Sequence, residues 1–189
     1  MQPFVLESPR LRLEVPRTAD TVAIYDCCQD EQLQTFTTVP VPYTFQDAQF
    51  FVSQIVERGW LTGREYTWGL RLPGSTLLVG MISIRLQHRD IGFWISAELR
   101  GLGLMTEAVR LVADWAFDEG LDDIVWEGYV GNLASAGVAR RSGFTYTGQG
   151  PGLQPDRDHG HPDCWKARLG RDDDRSVKPG WPAESMRAA

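Results

Sequence analysis

The chain has 189 residues, 42% of them hydrophobic and scattered through the sequence, which suits one core-bearing soluble domain and argues against a second large one. A net charge of -6 speaks against a general nucleic-acid footprint and favours cationic partners such as amines. The cysteines are Cys27, Cys28 and the distant Cys164, which is not the pattern of a disulfide-stapled secreted chain, and no apolar run reaches the roughly 20 residues that cross a bilayer. The first residues, MQPFVLESPR, lack an apolar stretch of signal-peptide length, so a cytoplasmic location with reduced thiols and no membrane contact is expected.

In chain order, Leu11, Leu13 and Val15 alternate with Arg10, Arg12 and Glu14, the period of a half-buried strand. Residues 19–28 read as a short helix packed through Cys27 and Cys28. A second helix opens at Thr44, a candidate cap with Asp47 as the reciprocal carboxylate, and takes its apolar face from Phe51, Val52, Ile55 and Val56. Strands are expected at 66–72, 76–85 and 90–95, separated by the turn-forming PG and QHRD, which makes an antiparallel meander.

The period then becomes 3.6. Leu104, Ala108, Leu111, Val112, Trp115 and Ala116 share one helical face, and Gly120 ends that helix. A strand near 123–130, a short helix near 133–142 between Asn132 and Gly143, a strand from Phe144 and a last strand at 164–169 complete the pattern. This order defines an α+β domain with a mixed sheet rather than a series of βαβ units, over residues 1–170. The polar tail 171–189 is expected to be loosely ordered, with Trp181 as the residue that docks it back.

The chemistry concentrates in two stretches. In SAELRGLGLMTEAV a strand ends, Arg100, Gly101 and Gly103 form a turn, and a helix starts at once, exposing unpaired backbone N–H groups at the positive end of its dipole. That is an anion seat, with Gly101 and Gly103 permitting close backbone approach or positive φ and Arg100 available for a phosphate. Thr106 stands where a dinucleotide fingerprint needs its third glycine, and no P-loop motif is present. In WEGYVGNLASAGVARRSGF, Asn132 and Gly143 bracket a small helix whose interior Gly137 weakens it, so Asn132 and Ser135 are candidate ligand contacts as well as helix-capping groups.

Arg100-Gly101-Leu102-Gly103, Asn132-Leu133-Ala134-Ser135 and Arg141-Ser142-Gly143-Phe144, with SPRLRLEV and IGFWI, resemble the GCN5-related N-acetyltransferase (GNAT) superfamily over about residues 8–169. The branch most similar is that of the ribosomal-protein alanine N-acetyltransferases (RimJ/RimL-like). The resemblance implies an acyl-coenzyme A fold whose mixed sheet splays between its fourth and fifth strands. Acetyl-coenzyme A would lie with its pyrophosphate over Arg100, Gly101, Leu102, Gly103, Leu104, Met105 and Thr106 and its acetyl carbonyl on a backbone N–H near Trp94 or Ile95. Asn132 would organise the short helix and the pantetheine arm; Ser135 would donate to the departing sulfur, and Glu127 would accept the amine's proton, directly or through water.

The implied reaction is direct acetyl transfer to a primary amine, on a small molecule or a peptide amino terminus, by a monomer or homodimer. Residues 35–44, with Phe36, Val39, Val41 and Tyr43, would wall the acceptor pocket, and His159 or His161 of DRDHGHPDC would border it as a substrate contact or base. The spacing in that loop is not a zinc framework, so no metal is expected. Glu98 stands where the superfamily often has Gln or Arg, and residues 136–139 are small. These departures motivate an alternative: a catalytically weak acyl-coenzyme A-binding or interaction module.

Overall fold

The computed structural model describes residues 2–186, so the last three residues of the polar tail lie outside the described residues. Its strands are β1 (Leu6–Glu7), β2 (Arg12–Glu14), β3 (Glu65–Arg71), β4 (Gly80–Arg85), β5 (Asp90–Ile95), β6 (Asp123–Tyr129), β7 (Thr145–Pro151) and β8 (Asp163–Gly170). They form one sheet in the spatial order β1-β2-β3-β4-β5-β6-β8-β7. Helices α1 (Thr21–Cys27), α2 (Glu31–Phe36), α3 (Phe45–Phe50), α4 (Glu57–Thr62), α5 (Leu104–Asp118) and α6 (Leu133–Arg141) flank it, giving the expected mixed α+β fold.

Alternation sets the sheet's registration. Leu13 is fully buried opposite Leu70, while Arg12 on the other face is exposed. The meander β3–β4–β5 is antiparallel throughout, with Trp68 opposite Ile82 and Ile84 opposite Ile91. The second of these strands starts at Gly80, not at residue 76: Leu78 and Val79 are buried, but Leu78 packs into the space over Gly69, where a Cβ would stand 2.6 Å from its methyl group. The apolar pattern ahead of Gly80 reflects burial of a loop, with Val79 still bonding to its neighbours, as donor to the Leu70 carbonyl at 2.9 Å and acceptor from the Ser96 N–H at 2.8 Å.

The splay sits between β5 and β6, which are the fourth and fifth strands once the two-residue β1 is set aside. They are parallel and share a single register pair, Asp90 with Val125, after which β6 pairs along its whole length with β8 instead. A wedge therefore opens beyond residue 90 toward the carboxyl ends of both strands.

Two helical details differ from the sequence expectation. Helix α2 lies over residues to which the sequence pattern assigns no element; Asp30 caps it by accepting the Leu33 N–H at 2.7 Å. Between α3 and α4 the chain is π-helical over Phe51–Val56, and the extra residue per turn rotates Ile55 out to 42% exposure while Val52 and Val56 stay buried. The capping box at the start of α3 is present, with Thr44 N–H donating to Asp47 at 2.8 Å and Asp47 N–H donating to Thr44 Oγ1 at 3.2 Å. Thr44→Ala is expected to cost about 1 kcal/mol and lower the melting midpoint by about 2–4 °C in a circular-dichroism melt.

Among the described residues, the tail through residue 186 packs back onto the body more closely than its composition implies. Trp181 is 5% exposed, and Arg175 reaches Asp114 at 2.8 Å while lying 5.2 Å above the Phe117 ring. Gly120, at φ +101°, ends α5 as expected.

Candidate active site

The helix α5 begins at an unusual corner. A short turn at Ala97–Leu99 leads into Gly101 and Gly103, which have φ +77° and +76°, a conformation that costs an L side chain about 1–2 kcal/mol. Gly103 is the N-cap and offers no side chain; the first intrahelical bond is Glu107 N–H to Gly103 carbonyl at 3.1 Å. The N–H groups of Leu104, Met105 and Thr106 therefore have no acceptor one turn back, and the helix dipole adds positive potential. Thr106 Oγ1 is buried with no hydrogen-bond partner among the described residues. An anion seated here would satisfy these donors.

Tertiary contacts fix this corner. Arg10 donates to the Leu102 carbonyl at 3.1 Å and to Glu107 at 2.7 Å, and the Ser8 hydroxyl also donates to Glu107. Arg100, expected to face phosphate, is bonded to Asp30 at 2.6 Å and to Gln32 at 2.7 Å, tying the turn to α2. On the opposite wall, Arg141 folds over Gly137, where a Cβ would come within 3.0 Å of its guanidinium. Burial, and then the like charge of Arg140, lower the Arg141 pKa; the opposite charge of a bound anion would offset both.

These walls enclose a cavity of about 1000 Å³ running between the amino-terminal ends of α5 and α6. Trp94, Ile95, residues 100–106, Asn132 and Ser135 all line it, so the predicted coenzyme residues converge. Leu102 is 56% exposed. The choice between Trp94 and Ile95 follows from strand direction. Ser96 N–H points to Val79 beside β4, and the Arg89 carbonyl points to Val125 on the β6 side. Alternation then turns the Phe93 and Ile95 amides into the splay and the Trp94 amide toward β4.

A second cavity, of about 280 Å³, occupies the splay and shares Phe36, Thr37, Phe93, Trp94, Asn132 and Ser135 with the first. Ser135 thus stands where the two meet. Its N–H donates to Asn132 Oδ1 at 3.1 Å, and its Oγ accepts the Trp126 indole N–H at 3.1 Å. With an acceptor position on Oγ filled by a group that can only donate, the hydroxyl proton is left to be donated elsewhere.

The smaller cavity mixes apolar Phe36, Val39 and Phe51 with Glu65, Arg85, Asp90 and Glu127. Arg85 Nε donates to Asp90 at 2.8 Å. Glu127 does face the cavity, but both oxygens are engaged, by Lys166 at 2.9 Å and by the Leu153 N–H at 2.7 Å. From the segment 35–44, Phe36 and Val39 reach the cavity; Val41 points to solvent and Tyr43 into the core. His159 and His161 line neither cavity, and His161 Nδ1 is 2.7 Å from the Gly152 carbonyl. Burial pushes the Cys27 and Cys28 thiols up to about 11 and about 12, in keeping with packing roles.

Residues not singled out from sequence include Arg10, Asp30, Arg85 and Trp126. Only Asp30 had a local signal, as a cap residue ahead of α2; the others act through partners distant in the chain.

The fold is an α+β domain in which two joined cavities meet at Ser135. Residues 10–145 match the family model described as an acetyltransferase (GNAT) domain, and the chain belongs to that family. The Bacillus subtilis protein named "Probable N-acetyltransferase YjcK" is 36% identical over 87 residues, covering 42% of this chain and 48% of that protein. The chain thus spans about half the length of the curated relatives it matches. A Vibrio cholerae structure superposes with a TM-score of 0.80 at 20% identity, over 90% of this chain and 99% of that one. Mycobacterium smegmatis RimJ, solved in complex with a CoA-disulfide, superposes with a TM-score of 0.74 at 20% identity, over 89% and 86% of the two chains. Among the described residues, no helix is long and apolar enough to cross a membrane.

Proposed function

We propose that the chain is an N-acetyltransferase that moves the acetyl group of acetyl-coenzyme A directly to a primary amine, close in kind to the RimJ/RimL-like branch. The observation that carries this reading is Ser135 at the junction of an anion-seating cavity and a smaller one opening from the splay. The coenzyme supplies an activated thioester; the chain's residues do the rest. The amides of Leu104, Met105 and Thr106, with Thr106 Oγ1 and Arg141, hold the pyrophosphate. Ile95 N–H takes the acetyl carbonyl, a bond that strengthens as charge develops on oxygen. Ser135 donates to the departing sulfur, and the cavity walls hold amine and thioester together. Glu127 lies on the amine's side, and because its oxygens are engaged, water is the route by which the amine's proton reaches it or the solvent.

That engagement of Glu127 also favours the second reading, an acyl-coenzyme A-binding module with little turnover. Calorimetry with acetyl-coenzyme A, followed by a panel of small amines and peptide amino termini with mass-spectrometric detection of product, separates the two. Binding with an acetylated product supports transfer. Binding without any product across the panel supports the module, and no binding by a folded sample up to millimolar ligand removes both.

A further inference from the structure

We infer that Trp181, in the segment that follows β8, is a positioning residue for Ser135 and acts through the Trp126 indole; this rests on the acetyl-transfer reading above. The cap of α6 fixes the Ser135 backbone but not its hydroxyl rotor. Among the described residues, the one hydrogen bond given to Oγ is from Trp126 Nε1 at 3.1 Å, so the direction in which Ser135 offers its proton depends on where that indole sits.

The indole is held from two sides. Along β6 it folds back over Gly128, where a Cβ would come within 2.5 Å of Cζ2, so the ring occupies the space a side chain would need. From the tail, Trp181 packs its ring at 5.8 Å centroid separation from Trp126 and at 5.6 Å from Tyr146 on β7. Trp126 is 1% exposed and Trp181 is 5% exposed. The Trp181 Nε1 has no hydrogen-bond partner among the described residues, so its place is kept by ring packing.

The segment carrying Trp181 is anchored before and after it. Arg175 bonds to Asp114 on α5, and the following Ala183–Met186 turn places Met186 on the wall of the larger cavity. The tail therefore reaches both the coenzyme groove and the support of the serine, although it lies beyond the residues 10–145 that match the family model. A feature outside the shared domain sets the geometry of a group inside it.

The test uses the full chain with acetyl-coenzyme A and hydroxylamine as the probe acceptor, following thiol release in single turnover. Trp181→Ala is expected to slow transfer about tenfold while the coenzyme dissociation constant changes less than about threefold. The Trp126 indole ¹⁵N–¹H resonance should move, and Trp181→Phe should restore most of the rate. In a Ser135→Ala background, Trp181→Ala should add no further loss.

Equal slowing in both backgrounds would overturn the inference, as would an unchanged rate with a displaced indole resonance, or a loss of coenzyme affinity that matches the loss of rate. If Trp181→Ala does not fold, Trp126→Phe keeps a ring and removes the donor; it must slow transfer only while Ser135 is present. A wild-type chain that binds no acetyl-coenzyme A, or that acetylates neither hydroxylamine nor any member of the acceptor panel above, defeats the transfer reading and this inference with it, whereas an active wild type with indifferent variants defeats this inference alone.

Discussion

Gly103→Val is expected to weaken acetyl-coenzyme A binding by about a hundredfold, some 2.7 kcal/mol, in a calorimetric titration. Gly103 holds φ +76° as the N-cap of α5, and a β-branched side chain there costs about 1–2 kcal/mol of strain. The chain can escape that strain by turning the corner differently. Doing so re-aims the Leu104, Met105 and Thr106 amides, and each charge-assisted bond lost to an anion is worth about 1.5–3 kcal/mol. Space is not the limit, since the nearest atom to a Cβ at this position is an Arg10 nitrogen at 3.8 Å. Gly101→Ala is a graded control: it carries a similar left-handed strain with an unbranched side chain and lies two residues before the N-cap, so the loss should be smaller. Unchanged affinity in a folded Gly103→Val protein would remove the turn from the binding site.

That corner was legible in the sequence because its causes are local. Two glycines, a strand ending before them and a 3.6-period stretch after them suffice to place helix N–H groups at a strand's exit, and the sheet's splay followed from the family resemblance those residues carry. Asn132 and Thr44 were equally readable, since a cap acts three residues downstream.

What escaped depends on partners far away. Arg100 reads as a free cation beside a phosphate because Asp30, its partner, lies 70 residues earlier, at the cap of a helix the apolar pattern does not mark. Arg10 looked like the polar half of an alternating strand, while its guanidinium braces the Leu102 carbonyl 92 residues on. The π-helical stretch at Phe51–Val56 shifted a face assigned by ordinary helical period, which is why Ile55 was placed inside and is found outside. His159 and His161 are attractive as bases by residue type alone, and neither lines either cavity.

Ser135→Ala is expected to lower single-turnover acetyl transfer by about tenfold to a hundredfold while changing the acetyl-coenzyme A dissociation constant far less. The asymmetry follows from what each part of the residue does. Its backbone N–H, the group that caps α6 through Asn132, survives the substitution, so the helix and its share of the coenzyme groove persist. Its hydroxyl, placed at the junction of the cavities with the indole on one acceptor position, is lost, and with it the proton donor for the leaving sulfur. The substitution also strips the Trp126 N–H of its acceptor in a buried setting, a cost to stability of about 1–3 kcal/mol that a thermal melt will show separately. A rate that stays at the wild-type value with the helix intact would take Ser135 out of the chemistry, and parallel losses of rate, affinity and melting temperature would leave it a purely structural serine.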